Sequence, residues 1–372
     1  GYQFFLDMGP LKNVKEKHFK DEVEFWDRLA EHPNYDKFWQ ERNILPHLKN
    51  IKTAVLTVGG WYDTEDLYGP LQTYRSIETN NPGIFNSLVM GPWSHGGWNS
   101  SDGESLGDAD FGFKTAQYFH DHIDLKFFKH FLKDASDDFH CPEALVFETG
   151  TNRWREFDSW VPSNVKIKNL YLQDRQSLSF QQPAEESTEF DSYVSDQQKP
   201  VPYTNDITIK STAHMTEDQR FASRRPDVLV YQTGVLDADI TFAGPMQANL
   251  FVSTTGTDSD WVVKLIDVYP NELPYNDAEK IDPRKGGQQL LVRGDVFRGR
   301  FRESYENPQP FISNQVTPVS FQIPDVLHTF QRGHRIMIQI QSTWFPYVDR
   351  NPQKYVSNIF EANEEDFIVV TN

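Results

Sequence analysis

A chain of 372 residues, 38% hydrophobic and 24% charged, has room for two or three folded units and is too apolar for wholesale disorder. Its charge sum, 36 − 54 = −18, repels phosphate backbones and argues against a nucleic-acid partner. No run of about 18 apolar residues marks a membrane-spanning helix, and a lone cysteine, Cys141, excludes an internal disulfide or a CxxC metal or redox motif.

The first three residues, Gly1-Tyr2-Gln3, carry neither an initiator Met nor the basic and apolar segments of a signal peptide, so the chain is expected to start inside a longer protein. One thiol leaves the compartment open, with the periplasm or exterior favoured over the cytoplasm. Residues 1–45 read as polar and helical, with Phe25, Trp26 and Leu29 on one apolar face. Ala54-Val55-Leu56-Thr57-Val58, ending in Gly59-Gly60, reads as a buried parallel strand. A helix is expected from Glu65 to Glu78, then a second strand at Ser87-Leu88-Val89-Met90, closed by Gly91-Pro92. After a loop rich in Gly, Ser and Asp, Ala116, Phe119, Ile123, Phe127 and Phe131 recur at three- and four-residue spacing, as on a long amphipathic helix. Strand, helix, strand, helix is the order of a doubly wound α/β sheet.

Beyond about His140 short alternating strands take over. They are expected at 145–149, 165–172, 228–232, 240–243, 249–253, 261–268, 288–292, 316–322, 335–341 and 367–371. Such a series argues for an antiparallel sandwich or jelly roll. The Gln-, Glu-, Ser- and Pro-rich stretch 181–206 reads as a long surface loop.

Chemistry collects at two strand ends. Asp63 follows the first strand and His95 the second, 95 − 63 = 32 residues apart, which leaves room for one helix and one strand. Loops at the carboxyl edge of an α/β sheet are where functional groups gather. Asp before His is also the second half of the Ser…Asp…His order of α/β-hydrolases, in which the carboxylate orients the imidazole that takes the nucleophile's proton. The pair is then expected within hydrogen-bond reach, roughly 2.6–3.2 Å. The competing role for Asp63 is a helix cap, with Glu65 and Asp66 in the first turn. His120, His122 and His130 do not make a metal site, because positions i and i+2 of a helix do not face each other. Asp258 and Asp260 read as turn residues. No Gly-x-Ser-x-Gly nucleophile elbow is expected anywhere in the chain, and Ser94, beside His95, lacks the elbow glycines.

The chain resembles the CocE/NonD hydrolases, related to X-Pro dipeptidyl-peptidases and glutaryl-acylases. The resemblance rests on Gly60-Trp61-Tyr62-Asp63, Gly91-Pro92-Trp93-Ser94-His95, Asn152-Arg153-Trp154-Arg155 with Trp160-Val161-Pro162, and Asp227-Val228-Leu229-Val230-Tyr231. Gly244-Pro245-Met246, Asp258-Ser259-Asp260-Trp261 and Asp349-Arg350-Asn351-Pro352 extend it. It implies the end of a helical cap at 1–45, the C-terminal portion of an α/β-hydrolase fold at 46–139, and a jelly-roll β-sandwich at 140–372.

Within the family the chain is most similar to α-amino-acid ester hydrolases. That similarity implies Asp63 and His95 as acid and base, Glu65 and Asp66 as carboxylates binding an α-ammonium group, no metal and no organic cofactor. The serine nucleophile is expected in an N-terminal part of the same protein, outside this chain. The substrate is then a small acyl compound or short peptide, and self-association is left open. Two rivals stand beside this reading. One is an X-Pro dipeptidyl-peptidase or simple carboxylesterase; the other is a non-catalytic binding module displaying aromatics such as Trp344 and Phe345.

Overall fold

The computed structural model describes residues 1–20, 22–133, 139–183, 189–208, 213–272 and 285–372. Val55–Gly60 (β1) and Asn86–Gly91 (β2) are short apolar runs stopped by glycine, and they lie parallel, joined through the helix Tyr68–Asn80. The register is unbroken from Val55 opposite Asn86 to Gly60 opposite Gly91, so both strands end at one level. Ala144–Glu148 (β3) adds parallel to β2, and Arg153–Phe157 (β4) turns back antiparallel to close a four-stranded sheet with β1 at one edge. The strand expected to open the sandwich at 145–149 thus pairs with the α/β sheet instead. It is buried throughout, as a parallel strand covered on both faces must be. One face is covered by the helical run Thr115–Phe119, the π-turn His120–Asp124 and Leu125–Lys133, where Ala116, Phe119 and Ile123 pack on Val89 and Leu145.

The remaining strands form a sandwich. Gln289–Arg298 (β8), Asp260–Val268 (β7), Arg335–Gln341 (β10) and Leu229–Gln232 (β5) lie side by side, extended by Ser177–Ser179 and Tyr171–Gln173. The facing layer is a two-stranded ribbon of Ile240–Val252 (β6) and Thr317–Phe330 (β9). Chain patterning explains the stacking. On β7, Trp261, Val263 and Leu265 point into the sandwich, against Phe321, Val319 and Val326 of β9. Its alternate residues Val262 and Ile266 pack with Leu88, Met90 and Val146 of the first sheet. With both faces covered, all nine residues of β7 are buried. One continuous core therefore joins the two sheets.

The two segments expected at 240–243 and 249–253 are one strand, because the Gly244-Pro245 interruption is absorbed as a bulge between Gly244 and Met246. Stretch 181–206 is exposed at 181–183 and 189–192, as a surface loop should be, but from Tyr193 on it enters the fold. Tyr193, Val201 and Tyr203 are buried, Val194–Ser195 pairs with Val370–Thr371, and the Tyr193 hydroxyl meets Ser342 Oγ at 2.6 Å. Only Tyr171–Gln173 of the strand expected at 165–172 forms. Trp344 and Phe345 are 2% and 4% exposed, so they cannot be the displayed platform of a binding module. Phe25 is exposed, and its neighbour Trp26 carries the helix contact, edge-on to Phe360.

Asp258 and Asp260 are also not turn residues in solvent. Both are buried, Asp258 against Arg300, and Asp260 in a two-pronged pair with Arg298 at 3.0 and 3.0 Å. Arg298 reaches on to Asp349 at 3.1 Å, while Asn351 Nδ2 donates to Asp260 at 2.7 Å. The Asp258–Asp260 and Asp349–Asn351 motifs thus lock β7, β8 and the segment after β10 together. Burial drives the Asp260 carboxyl upward, opposed chiefly by Arg298. Replacing Arg298 with Met, which keeps the aliphatic bulk, leaves Asp260 buried without its cation. A loss of about 3–5 kcal/mol is expected in urea denaturation, because a stranded buried charge costs far more than an exposed ion pair.

Candidate active site

The level ends of β1 and β2 send two loops out side by side. Trp61 N–H donates to Gly91 O at 2.8 Å and Tyr62 N–H to Trp93 O at 3.0 Å, stitching one loop to the other. The glycines make this approach sterically allowed: a Cβ on Gly60 would lie 2.2 Å from Trp93 O, and one on Gly91 2.5 Å from the Trp93 ring. Each loop buries a tryptophan two residues before its polar side chain. Trp61 donates from Nε1 to Phe147 O at 2.8 Å, and Trp93 from Nε1 to Thr115 Oγ1 at 2.9 Å.

These anchors bring Asp63 and His95 together, with Asp63 Oδ2 3.0 Å from His95 Nδ1. The Asp63 side chain is 3% exposed and the His95 side chain 55%. The other carboxylate oxygen, Oδ1, accepts from the backbone N–H of Glu65 at 2.8 Å and Asp66 at 2.9 Å. Capping and pairing are therefore not alternatives, since one oxygen closes the turn and the other faces the imidazole. The helix itself starts at Tyr68 rather than Glu65, because Asp63 and Asp66 hold the intervening residues in successive turns, Asp66 Oδ1 accepting from Gly69 N–H. Glu65 and Asp66 stand exposed on this loop.

The hydrogen bond to Asp63 and its charge raise the His95 imidazole above its ordinary range, and Glu65 and Asp66 add to the rise. An ionised carboxylate can only accept, so Nδ1 carries the proton and neutral His95 keeps its basic lone pair on Nε2. That is the tautomer a general base needs.

Contrary to the sequence expectation, the chain does contain a Gly-x-Ser-x-Gly pattern, Gly103-Glu104-Ser105-Leu106-Gly107. It is not an elbow. Ser105 and Leu106 pair with Ala109 and Asp110 in a small hairpin, whereas a nucleophile elbow is a sharp strand-to-helix turn. His120 is occupied by Asp124 at 3.0 Å and Trp98 O at 2.6 Å, and His122 by Tyr118 O at 3.0 Å. Among the described residues no group of three or more His, Cys, Asp or Glu could hold a metal ion.

Two sandwich residues that sequence reasoning missed reach the Asp63 loop. Arg293 of β8, 1% exposed, donates to Trp61 O, and the Tyr347 hydroxyl donates to Thr64 O at 3.0 Å. Neither residue carries a local sequence signal for this role, since the contacts join positions 232 and 283 residues apart.

Isotope-edited NMR of the His95 ring should find it titrating above the ordinary value near 6.5. Asp63→Asn should lower that titration, because it removes the charge that favours imidazolium.

The comparisons with known proteins agree with this architecture. Residues 140–366 match the family model of the X-Pro dipeptidyl-peptidase C-terminal non-catalytic domain, and residues 5–97 that of X-Pro dipeptidyl-peptidase (S15 family). Cocaine esterase of Rhodococcus sp. (strain MB1 Bresler) is 28% identical over 339 residues, covering 87% of this chain and 54% of its own length. A crystal structure of an aminopeptidase from the marine sediment archaeon Thaumarchaeota archaeon is 39% identical with a TM-score of 0.93, over 100% of this chain and 61% of that one. A selenomethionine-labelled α-amino acid ester hydrolase is 38% identical with a TM-score of 0.93, over 100% and 62%. The chain thus spans about half the length of the curated relative it matches.

Proposed function

We propose that this chain, which belongs to the CocE/NonD serine hydrolases and carries their X-Pro dipeptidyl-peptidase-type C-terminal domain, supplies the acid and base of a Ser-His-Asp acyl-transfer site. The observation that carries the reading is the 3.0 Å approach of a buried Asp63 to an exposed His95 on adjoining parallel strand ends. In the mechanism, His95 Nε2 takes the proton of a serine hydroxyl as that oxygen attacks an ester or amide carbonyl. The resulting imidazolium is stabilised by Asp63, then returns the proton to the leaving group. Water completes the cycle by the same route in reverse. On this reading the attacking serine comes from an N-terminal part of the same protein, since Ser94 has no elbow glycines and Ser105 sits in a hairpin.

Glu65 and Asp66 give the site its substrate preference. Two exposed carboxylates beside the imidazole favour an acyl group bearing an α-ammonium and disfavour an anionic one. That preference fits amino-acid esters, and it fits peptides with a free N-terminus as well. The S15-family match and the likeness to an aminopeptidase support the peptide reading; the likeness to an α-amino acid ester hydrolase supports the ester reading. Turnover of phenylglycine methyl ester against an Ala-Pro anilide separates them.

The purified 372-residue chain should hydrolyse no acyl ester above background, because an Asp–His pair alone cannot form an acyl-enzyme. Turnover accompanied by fluorophosphonate labelling of Ser94 or Ser105 would overturn this.

In the complete protein, Glu65→Gln combined with Asp66→Asn should raise KM for amino-acid esters about ten- to a hundredfold more than for their deaminated analogues, since a charge-assisted hydrogen bond contributes roughly 1.5–3 kcal/mol. The gap should close as pH rises through the substrate amine's pKa. Equal losses for both substrates would reduce the two carboxylates to loop support.

A further inference from the structure

We infer that Arg293 and Tyr347 of the sandwich are positioning residues for the catalytic carboxylate, holding the Asp63 loop on either side of Asp63 in sequence. The inference rests on Asp63 and His95 being acid and base. Hydrogen bonds that flank Asp63 carry it: Arg293 Nη1 donates to the carbonyl two residues before, Trp61 O, and Tyr347 Oη to the carbonyl one residue after, Thr64 O. Both donors come from the sandwich, one from β8 and one from the segment after β10.

Each donor is itself fixed. The Arg293 guanidinium is buried, with its Cζ 5.7 Å from the Trp61 ring centroid. Burial pushes the guanidinium down to about 10, which still leaves it charged at neutral pH. Tyr347 has its ring edge-on to buried Trp344 at 5.0 Å and tilted against buried His214 at 5.1 Å. Trp344 in turn lies under the Lys264 ammonium at 4.9 Å, and Lys264 Nζ donates to Gln219 at 3.0 Å on the face of β7 turned away from the ribbon. The phenol is therefore presented by a packed stack rather than by a loose loop.

Geometry matters here because the carboxylate has little slack. Asp63 Oδ1 is committed to two backbone N–H groups of its own loop, so any rotation of that loop moves Oδ2 away from Nδ1. Misplacing a catalytic group by about 1 Å can cost a hundredfold in rate. On the first-sheet side the backbone and indole bonds that hold the loop, from Trp61 N–H, Trp61 Nε1 and Tyr62 N–H, all lie ahead of Asp63. Beyond Asp63 the hold at Thr64 O comes from Tyr347.

The test reads the His95 titration by imidazole NMR in the 372-residue chain, which requires no nucleophile. Tyr347→Phe keeps the ring stack and removes one hydroxyl. The expected result is a His95 pKa lowered toward that of Asp63→Asn, with the melting temperature within about 2 °C of the parent, as for a partly exposed site. Arg293→Met is expected to lower it too; should that variant fail to fold, Tyr347→Phe alone decides. A Tyr347→Phe chain whose His95 titrates as in the parent, while Asp63→Asn lowers it, would overturn the positioning role and leave the pair intact. If Asp63→Asn itself leaves His95 unmoved, the acid–base reading falls instead. In the complete enzyme the same Tyr347→Phe change should lower kcat about tenfold with KM within about twofold, the split expected when only the transition state loses an interaction.

Discussion

Two glycines facing one tryptophan set the whole arrangement. Because Gly60 and Gly91 lack side chains, the Trp93 carbonyl and ring can settle against the β1 end, and two backbone hydrogen bonds then fuse the loops that follow β1 and β2. Side chains three and four residues further on are carried to within a hydrogen bond of each other. An alanine at Gly60 would press on backbone, which cannot swing away as a flexible side chain can. The chemistry is therefore specified upstream of the residues that perform it.

The sandwich is more than ballast on this site. Its central strand β7 is buried on both faces, and the side that looks away from the ribbon β6–β9 forms a common core with β2 and β3. That shared core sets the distance from which Arg293 and Tyr347 reach the Asp63 loop. The matched family model describes the domain as non-catalytic. Taking no part in bond making is compatible with fixing where the carboxylate stands.

Much of this was legible in the residues, for identifiable reasons. Glycine-terminated apolar runs at 55–60 and 86–91 announce parallel strands, and the alternation in Arg335–Gln341 announces a half-buried one. Asp63 and His95 could be nominated because each follows such a strand. Other features depend on partners distant in sequence. Asp258 and Asp260 look like a turn until Arg298 and Arg300 arrive from 38 and 42 residues away. Trp344 and Phe345 look like display residues until the packing of Trp344 with the first sheet's core is seen. Arg293 and Thr64 carry no local sign of their roles, since their contacts span 232 and 283 residues. Gly103–Gly107 shows the reverse failure, a motif whose letters fit while its backbone is a hairpin.

The position of β1 at the rim of the four-stranded sheet has a consequence for the sheet itself. Among the described residues its outer side has no strand neighbour, so the ladder of an apolar strand stops there without a partner, although none of its six residues is exposed. Such a rim is a template for another extended segment, and native proteins ordinarily cover, charge or shorten it. Nothing in Val55–Gly60 does so: it has no charge, no proline and no bulge. An extended segment laid along that rim would continue the sheet in the direction that β1 leaves open.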